Sequence, residues 1–214
     1  MQRTSDPIKK LRFLKETVLL RQGDSGSQVY FIHAGYVLIQ KVDYCGNLAI
    51  IDLYGPGSWF GPGLTGKNMD IQATAKSGSE LEVTSIQHLN AVMERQSQTH
   101  DGLLQQLATR ESQLQQRLFL HITAPLPVRL ANLLAQLFNY RGQPCGHGHQ
   151  LDIKLTQSEL AVMAGGSRQT VSQQLKQWKS DGVIDYTRQY ICLLDQTALK
   201  SLAENQIYAP VSAS

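Results

Sequence analysis

Arg168, Gln169, Thr170, Gln173 and Lys176 lie opposite Val171, Leu175 and Trp178 when residues 167–178 are wound as a helix. Their chemistry is that of nucleic-acid readers. An arginine fork matches guanine O6 and N7, and a glutamine amide matches adenine N6 and N7. Lysine ammonium and threonine hydroxyl groups suit phosphate oxygens. Thr156, Gln157 and Ser158 precede them. Their hydroxyls, amide and backbone N–H groups can hold a phosphate at the positive end of a helix. Lys154, Arg168, Lys176 and Lys179 face only Glu159 among the acidic residues of this stretch, a local net charge of +3. A merely solvated helix face would mix Glu with Lys; this one is rich in amides and hydroxyls.

These side chains need two short helices. Thr156 with Glu159 three residues on forms a capping box. Leu160, Ala161 and Ala164 then keep one apolar face, and Gly165-Gly166 ends that helix. Ser167 caps a second helix, whose buried stripe is Val171, Leu175 and Trp178 at i, i+4, i+7. Two helices joined through a glycine turn make a helix-turn-helix. Such a pair also occurs in proteins that never touch DNA, so the polar face carries the distinction. Val183 to Tyr186 and Tyr190 to Leu194 flank a turn and predict a β-hairpin wing, with Arg188 at its tip placed for a phosphate. Residues 195–205 read as helix, and 206–214 as a frayed tail. Upstream, Val128 to Tyr140 reads as a helix with Leu130, Leu133, Leu134, Leu137 and Phe138 inward. Arg141 to Gln150 reads as a loop, and Leu151 to Leu155 as a short strand.

Pro125 and Pro127 interrupt the chain, since proline cannot continue a helix ladder and disfavours helix before it. A hinge is expected there. Before it, residues 97–124 are Leu- and Gln-rich, and Leu104, Leu107, Glu111, Leu114 and Leu118 fall close to the two-position seam of a coiled coil. The length suits one helix in a dimer. Glu111 departs from an apolar seam and is expected to meet Arg110 of a second copy or to lie at the edge. Residues 16–86 instead show strands of four to six residues punctuated by glycine: Thr17–Leu20, Val29–Ile32, Tyr36–Ile39, Leu48–Leu53 and Leu81–Ile86. That rhythm predicts an antiparallel roll or barrel. The stretch from Ile8 to Leu14 is either a short helix or an arm.

Arg21-Gln22-Gly23-Asp24, Val29-Tyr30-Phe31-Ile32, Gly35-Tyr36-Val37 and Gly55-Pro56-Gly57-Ser58-Trp59-Phe60-Gly61 resemble the cyclic-nucleotide-binding β-roll. With the helix and helix-turn-helix that follow, the order resembles the Crp/Fnr family of transcription regulators over about residues 10–203. Arg141 to Cys145 and Leu151 to Leu155 are most similar to its cyanobacterial nitrogen-control branch. The resemblance implies an α+β chain in four parts: an effector β-roll over 1–96, a dimerisation helix over 97–124, a winged helix-turn-helix over 125–205 and a tail over 206–214. It implies a homodimer on a palindromic promoter site, with RNA polymerase as a further partner. In the family the recognition helix carries Ser/Thr-Arg-Glu-Thr-Val-x-Arg; here it is Ser167-Arg168-Gln169-Thr170-Val171-Ser172-Gln173. Arg168 matches. Gln169 and Gln173 depart, so the half-site is expected to keep a guanine but to differ from the family's common TGTGA.

The effector pocket departs further. Cyclic-nucleotide binders of the family use a Glu for the ribose and an Arg-Ser/Thr pair for the phosphate. Here the segments read Gly61-Pro62-Gly63-Leu64 and Ile71-Gln72-Ala73. Burying a phosphate without a cation is costly, so cyclic AMP is not expected, and the missing Arg weakens 2-oxoglutarate equally. Lys67, Lys76 or the Gly61–Gly63 backbone remain for another anion. Cys145-Gly146-His147-Gly148-His149 has metal-ligand residue types but no second pair at ligand spacing. It is expected to be a plain glycine-rich loop, and no metal or cofactor is expected. No nucleophile elbow, phosphate-cradling Gly-Lys-Ser/Thr loop or HExxH is present, which argues against an enzyme.

The 214 residues are 42% hydrophobic and 17% charged, with net charge +3, enough to build packed cores. Cys45, Cys145 and Cys192 are an odd, scattered set and not a disulfide framework. With no apolar run and no signal-peptide pattern, the expectation is a cytoplasmic, nucleoid-associated protein without membrane contact. Two alternatives stay open. One is a regulator answering 2-oxoglutarate, a cyclic nucleotide or another metabolite through an atypical pocket. The other is a sensor or scaffold that does not bind DNA.

Overall fold

The computed structural model describes residues 8–95, 97–187 and 190–204. The chain divides into two compact units, 1–111 and 112–214. The first is built from β1 (Lys9–Arg12), β2 (Thr17–Leu20), β3 (Gln28–Ala34), β4 (Val37–Val42), β5 (Leu48–Tyr54), β6 (Trp59–Phe60), the short helix α1 (Pro62–Thr65), β7 (Gln72–Ala75), β8 (Glu80–Ser85) and α2 (Ile86–Arg95). Two four-stranded sheets form, in the orders β1-β8-β3-β6 and β2-β7-β4-β5, with every pair antiparallel. Their shared core draws on both: Tyr30, Ile32, Phe60 and Leu81 from one sheet, Leu20, Val37, Ile39, Ala73 and Ala75 from the other. Period-two alternation places these residues inward. The expected antiparallel roll is therefore present.

The stretch after Ile8 is an arm and not a helix. Leu11 and Phe13 alternate with charged residues, and β1 pairs with β8 in the register Lys9↔Val83 to Arg12↔Glu80. Exposed Lys9 and Lys10 lie along this sheet edge, where lysine discourages further strand pairing. Arg12 pairs with Glu80 at 3.2 Å. β6 and β7 carried no pattern of their own. β7, Gln-Ala-Thr-Ala, is a strand only because β2 and β4 hydrogen-bond it from both sides.

Helix α3 (Ser97–Thr123) spans 27 residues, about 40 Å at 1.5 Å per residue. Its last part opens the second unit. There follow α4 (Leu126–Arg141), β9 (Gly142–Cys145), β10 (Gly148–Leu151), α5 (Gln157–Ala164), α6 (Arg168–Ser180), β11 (Ile184–Tyr186), β12 (Ile191–Leu193) and α7 (Gln196–Glu204). Helix α4 starts two residues earlier than expected, with Pro125 as its N-cap and a proline in its first turn, a position where the missing N–H costs nothing. Leu130, Leu133, Leu134, Leu137 and Phe138 are all buried, as their spacing predicted.

Two readings in this unit are corrected. Residues 142–151 are not a loop: β9 and β10 form a hairpin joined by Gly146 and His147. Together with the wing strands they make one sheet in the order β11-β12-β10-β9. Gly148, at φ 146°, makes the close approach possible, since a Cβ there would stand 2.2 Å from the Leu193 carbonyl oxygen. The strand expected over 151–155 ends at Leu151, where its partners on β9 and β12 run out.

Candidate nucleic-acid interface

Local capping sets the two helices of the interface. Thr156 Oγ1 accepts from the Glu159 N–H at 3.1 Å, and the Thr156 N–H donates to Glu159 Oε2 at 2.7 Å. The box spends the Thr156 side chain on the helix, leaving Gln157 and Ser158 as the polar side chains of that turn. Gly165 ends α5 in the left-handed region, φ 66°. A Cβ on Gly165 would stand 2.7 Å from His121 Nε2, and one on Gly166 2.7 Å from Leu126. The left-handed backbone favours glycine at 165, and a side chain at either position would have to displace His121 or Leu126. Ser167 Oγ accepts from the Thr170 N–H at 3.0 Å and shares a 2.8 Å hydrogen bond with the Thr170 hydroxyl. Ser167 and Thr170 thus hold each other at the start of α6.

Helix α6 buries Val171, Leu175 and Trp178. Arg168, Gln169, Gln173 and Lys176 are exposed on the other side. None of these four side chains has a hydrogen-bond or ion-pair partner among the described residues. Lys179, counted in the positive stretch, is different: its ammonium pairs with Asp185. That hydrogen bond holds the Asp185 carboxyl below the usual carboxylate value and raises Lys179. Arg188, the expected wing-tip contact, lies outside the described residues.

Two arginines that the sequence did not single out fasten the turn between α5 and α6. Arg129 on α4 donates through Nε to Ala164 O at 2.9 Å, through Nη2 to Gly165 O at 2.9 Å and through Nη1 to Ala124 O at 3.0 Å. Arg117 on α3 reaches Met163 O at 3.5 Å. The last carbonyls of a helix lack internal acceptable donors, and cations are favoured there. Glycine after Ala164 announces such carbonyls in sequence; nothing local reveals that the donors come from other helices.

In the N-terminal unit the six expected effector residues lie on two segments, Gly61 to Leu64 at α1 and Ile71 and Gln72 at the start of β7. Gly61 and Pro62 are buried, and a Cβ on Gly61 or Gly63 would stand 2.6 Å or 2.5 Å from the carbonyl of Gln28 or Ser27. Leu64 is half-buried, and Ile71 packs against the core of the two sheets. Gln72 Nε2 donates to Gln40 Oε1 at 3.2 Å, and Thr74 Oγ1 to the same oxygen at 2.7 Å, so its amide is already engaged. Lys76 pairs with Glu16 at 2.9 Å.

A partly buried cation of this unit that the pocket pattern missed is Arg110. It does not project along the helix seam. Its guanidinium lies 3.4 Å above the Tyr54 ring centroid, and Nη1 donates to Trp59 O at 3.3 Å. Nη2 is buried with no hydrogen-bond partner. Burial pushes the Arg110 pKa down, while Tyr54 and Asp52 push it back up. Gln106 adds two contacts to the Trp59 backbone, accepting from its N–H at 3.2 Å and donating to its carbonyl at 3.4 Å. Along the rest of α3, Leu104, Leu107, Leu114 and Leu118 are 43–62% exposed, and Glu111 is exposed beside them.

Residues 10–96 match the cyclic nucleotide-binding domain, and residues 128–202 match the Crp-like helix-turn-helix domain. The chain belongs to the Crp/Fnr family. Transcriptional regulator SdrP of Thermus thermophilus is 28% identical over 90% of this chain and 96% of its own length. The global nitrogen regulator of Synechocystis is 25% identical over 87% and 85%. A crystal structure of a CRP/FNR-family transcriptional regulator from Thermus thermophilus, 27% identical, superposes with a TM-score of 0.76 over 92% of this chain and all of that one. The similarity is spread over these branches and does not single out nitrogen control. The chain is thus a Crp/Fnr-type transcription regulator with a DNA-binding helix-turn-helix. The family is one of regulators and not of enzymes. No helix among the described residues is long and apolar enough to cross a membrane.

Proposed function

We propose that two copies of this chain bind a palindromic promoter site, each placing α6 in the major groove. The observation that carries this is the unpaired row Arg168, Gln169, Gln173 and Lys176, exposed opposite a fully buried stripe. Arg168 reads a guanine, Gln169 and Gln173 read the neighbouring pairs, and Lys176, Gln157, Ser158 and the start of α5 meet phosphates. Ser167 and Thr170 act as the cap that presents Arg168, and Arg188 is assigned to a phosphate beside the wing. The seam of Leu104, Leu107, Leu114 and Leu118, with Glu111, pairs with its copy, which places the two recognition helices about 34–36 Å apart on successive turns. Residues 125–205 serve as the DNA-binding domain, 97–124 as the dimer helix and 1–96 as the sensor. The Pro125–Pro127 break adjusts the spacing. The protein acts in the cytoplasm at the nucleoid, with RNA polymerase as partner and no enzymatic step.

Selection from random duplex DNA tests this reading. The expected product is an inverted repeat that keeps one guanine per half-site and differs from TGTGA. Arg168→Ala should relax that guanine at a loss of about 1–3 kcal/mol per contact. Lys176→Ala should weaken all sequences alike and lower the salt slope by about one. Recovery of TGTGA at full strength, or of no preferred sequence, overturns it.

Cyclic AMP is not the proposed effector. Pro62 and Ile71 stand where the resemblance calls for a carboxylate and a cation, and the Gln72 amide is already bonded to Gln40. The melting temperature is expected to stay within about 1 °C at millimolar cyclic AMP, because a ligand stabilises only in proportion to its binding of the folded state. A concentration-dependent rise of several degrees would reverse this assignment. The buried, unpaired Nη2 of Arg110 favours one second reading, an anionic metabolite as effector. A thermal-shift series with 2-oxo acids tests it.

A further inference from the structure

The two thiols of the C-terminal unit are far apart in sequence, yet Cys145 Sγ and Cys192 Sγ stand 3.9 Å apart. Both line an open cavity of about 550 Å³ beside the wing sheet, together with His147, Lys179, Asp185 and Tyr190. Cys192 is buried and Cys145 half-buried.

The strand register shows how they meet. Cys145 lies opposite Gly148, and Cys192 lies opposite Gln150, so both flank β10 on one face of the sheet. Gly148 contributes no side chain between them. Two strand spacings of about 4.8 Å separate β9 from β12. The backbone of such a pair sits roughly 9–10 Å apart, beyond the ~6.8 Å that a disulfide spans without moving the chain. A disulfide would also need the sulfurs to close to about 2.05 Å. A bridging metal ion needs far less movement. Two metal–sulfur bonds of about 2.3 Å bridge 3.9 Å at an angle near ~115°, and ~4.6 Å when linear.

We propose that Cys145 and Cys192 form a two-sulfur site for a soft monovalent cation of the copper(I) class. Soft thiolates select such ions over hard divalent ones. No group of three or more His, Cys, Asp or Glu among the described residues is arranged for a metal, which argues against tetrahedral zinc and leaves the low-coordinate soft ion. On binding, two S–H bonds break, two Cu–S bonds form and two protons leave to solvent, with no change of oxidation state. The resulting bis-thiolate carries one negative charge in a cavity that the Lys179–Asp185 ion pair also lines. Burial raises the Cys192 thiol to about 11, and loading the site releases protons to solvent. Affinity therefore rises with pH.

Anaerobic titration of the reduced full-length protein against a chromogenic copper(I) chelator tests the site. The expected result is one copper(I) withdrawn per chain, unchanged in Cys45→Ser and weakened at least about a hundredfold in Cys145→Ser and in Cys192→Ser, since a lone thiolate loses the second bond. X-ray absorption of the loaded wild-type protein should show two sulfur neighbours. Because Cys192→Ser alters a buried position, the half-buried Cys145→Ser and the absorption spectrum decide if that variant does not fold. Full binding in Cys145→Ser, or no withdrawal by the wild type, overturns the proposal. So does a Cys145–Cys192 peptide cross-link formed readily with a mild thiol oxidant, which would make the pair a disulfide switch.

Discussion

Leu107→Glu combined with Leu114→Glu is expected to leave a folded monomer whose affinity for the intact palindrome falls by at least about 1,000-fold. Leu107 is 49% and Leu114 43% exposed in the single chain, so neither is needed to hold its own unit together. In a pair of helices each would lose that exposure, and a buried leucine side chain contributes about 1.5–3 kcal/mol. Placing carboxylates at these seam positions removes that gain on both copies and sets like charges against each other. DNA affinity follows, because the specific complex exceeds non-specific binding by roughly 10³–10⁷ only when both half-sites are engaged. Sedimentation velocity and anisotropy with a full and a half palindrome separate the two effects. A variant that still sediments as a dimer would show that α3 carries no seam and that the exposed leucines serve another surface.

Trp178→Ala is the largest single-residue loss expected of the C-terminal unit. The indole is 2% exposed, and the Trp178 carbonyl accepts from the Val183 N–H at 2.9 Å where α6 turns into the wing sheet. Replacing a buried Trp by Ala costs about 3–5 kcal/mol, against a typical domain stability of 5–15 kcal/mol. For a domain of this size that corresponds to a fall of about 15–30 °C in the melting temperature. The transition of the N-terminal unit should change far less, since its core residues come from other strands. Calorimetry resolving two transitions checks this, and DNA binding should vanish with the lower one. A loss below about 1 kcal/mol would mean that α6 is not held by this stripe, and the readout face would have to be redrawn.

The N-terminal arm and the Cys145–Leu151 segment show where local pattern stops. Lys9 to Phe13 has an alternation too short to choose between helix and extended arm; the free edge of β8 chose. Gly146 and Gly148 look like loop residues, but the missing Cβ of Gly148 lets β10 lie against β12. Strand pairing is a property of the neighbour, and a neighbour forty residues away leaves no mark on the segment itself. Arg110 makes the same point for the N-terminal unit. Its position within a Leu- and Gln-rich helix gives no sign that its guanidinium covers Tyr54.

By contrast, the capping box at Thr156, the glycine turn, the Ser167 cap and the Val171–Leu175–Trp178 stripe were all legible in the chain. Each depends on residues within one or two helical turns of one another, so the order of types is enough to specify them. The polar face of α6 follows from the same spacing. Tertiary structure alone decided which donors hold the α5 carbonyls, which cation is buried against the roll, and which two thiols share a cavity. Those contacts join residues about 35 to 56 positions apart, and only the packing of whole elements can bring them within a few ångströms.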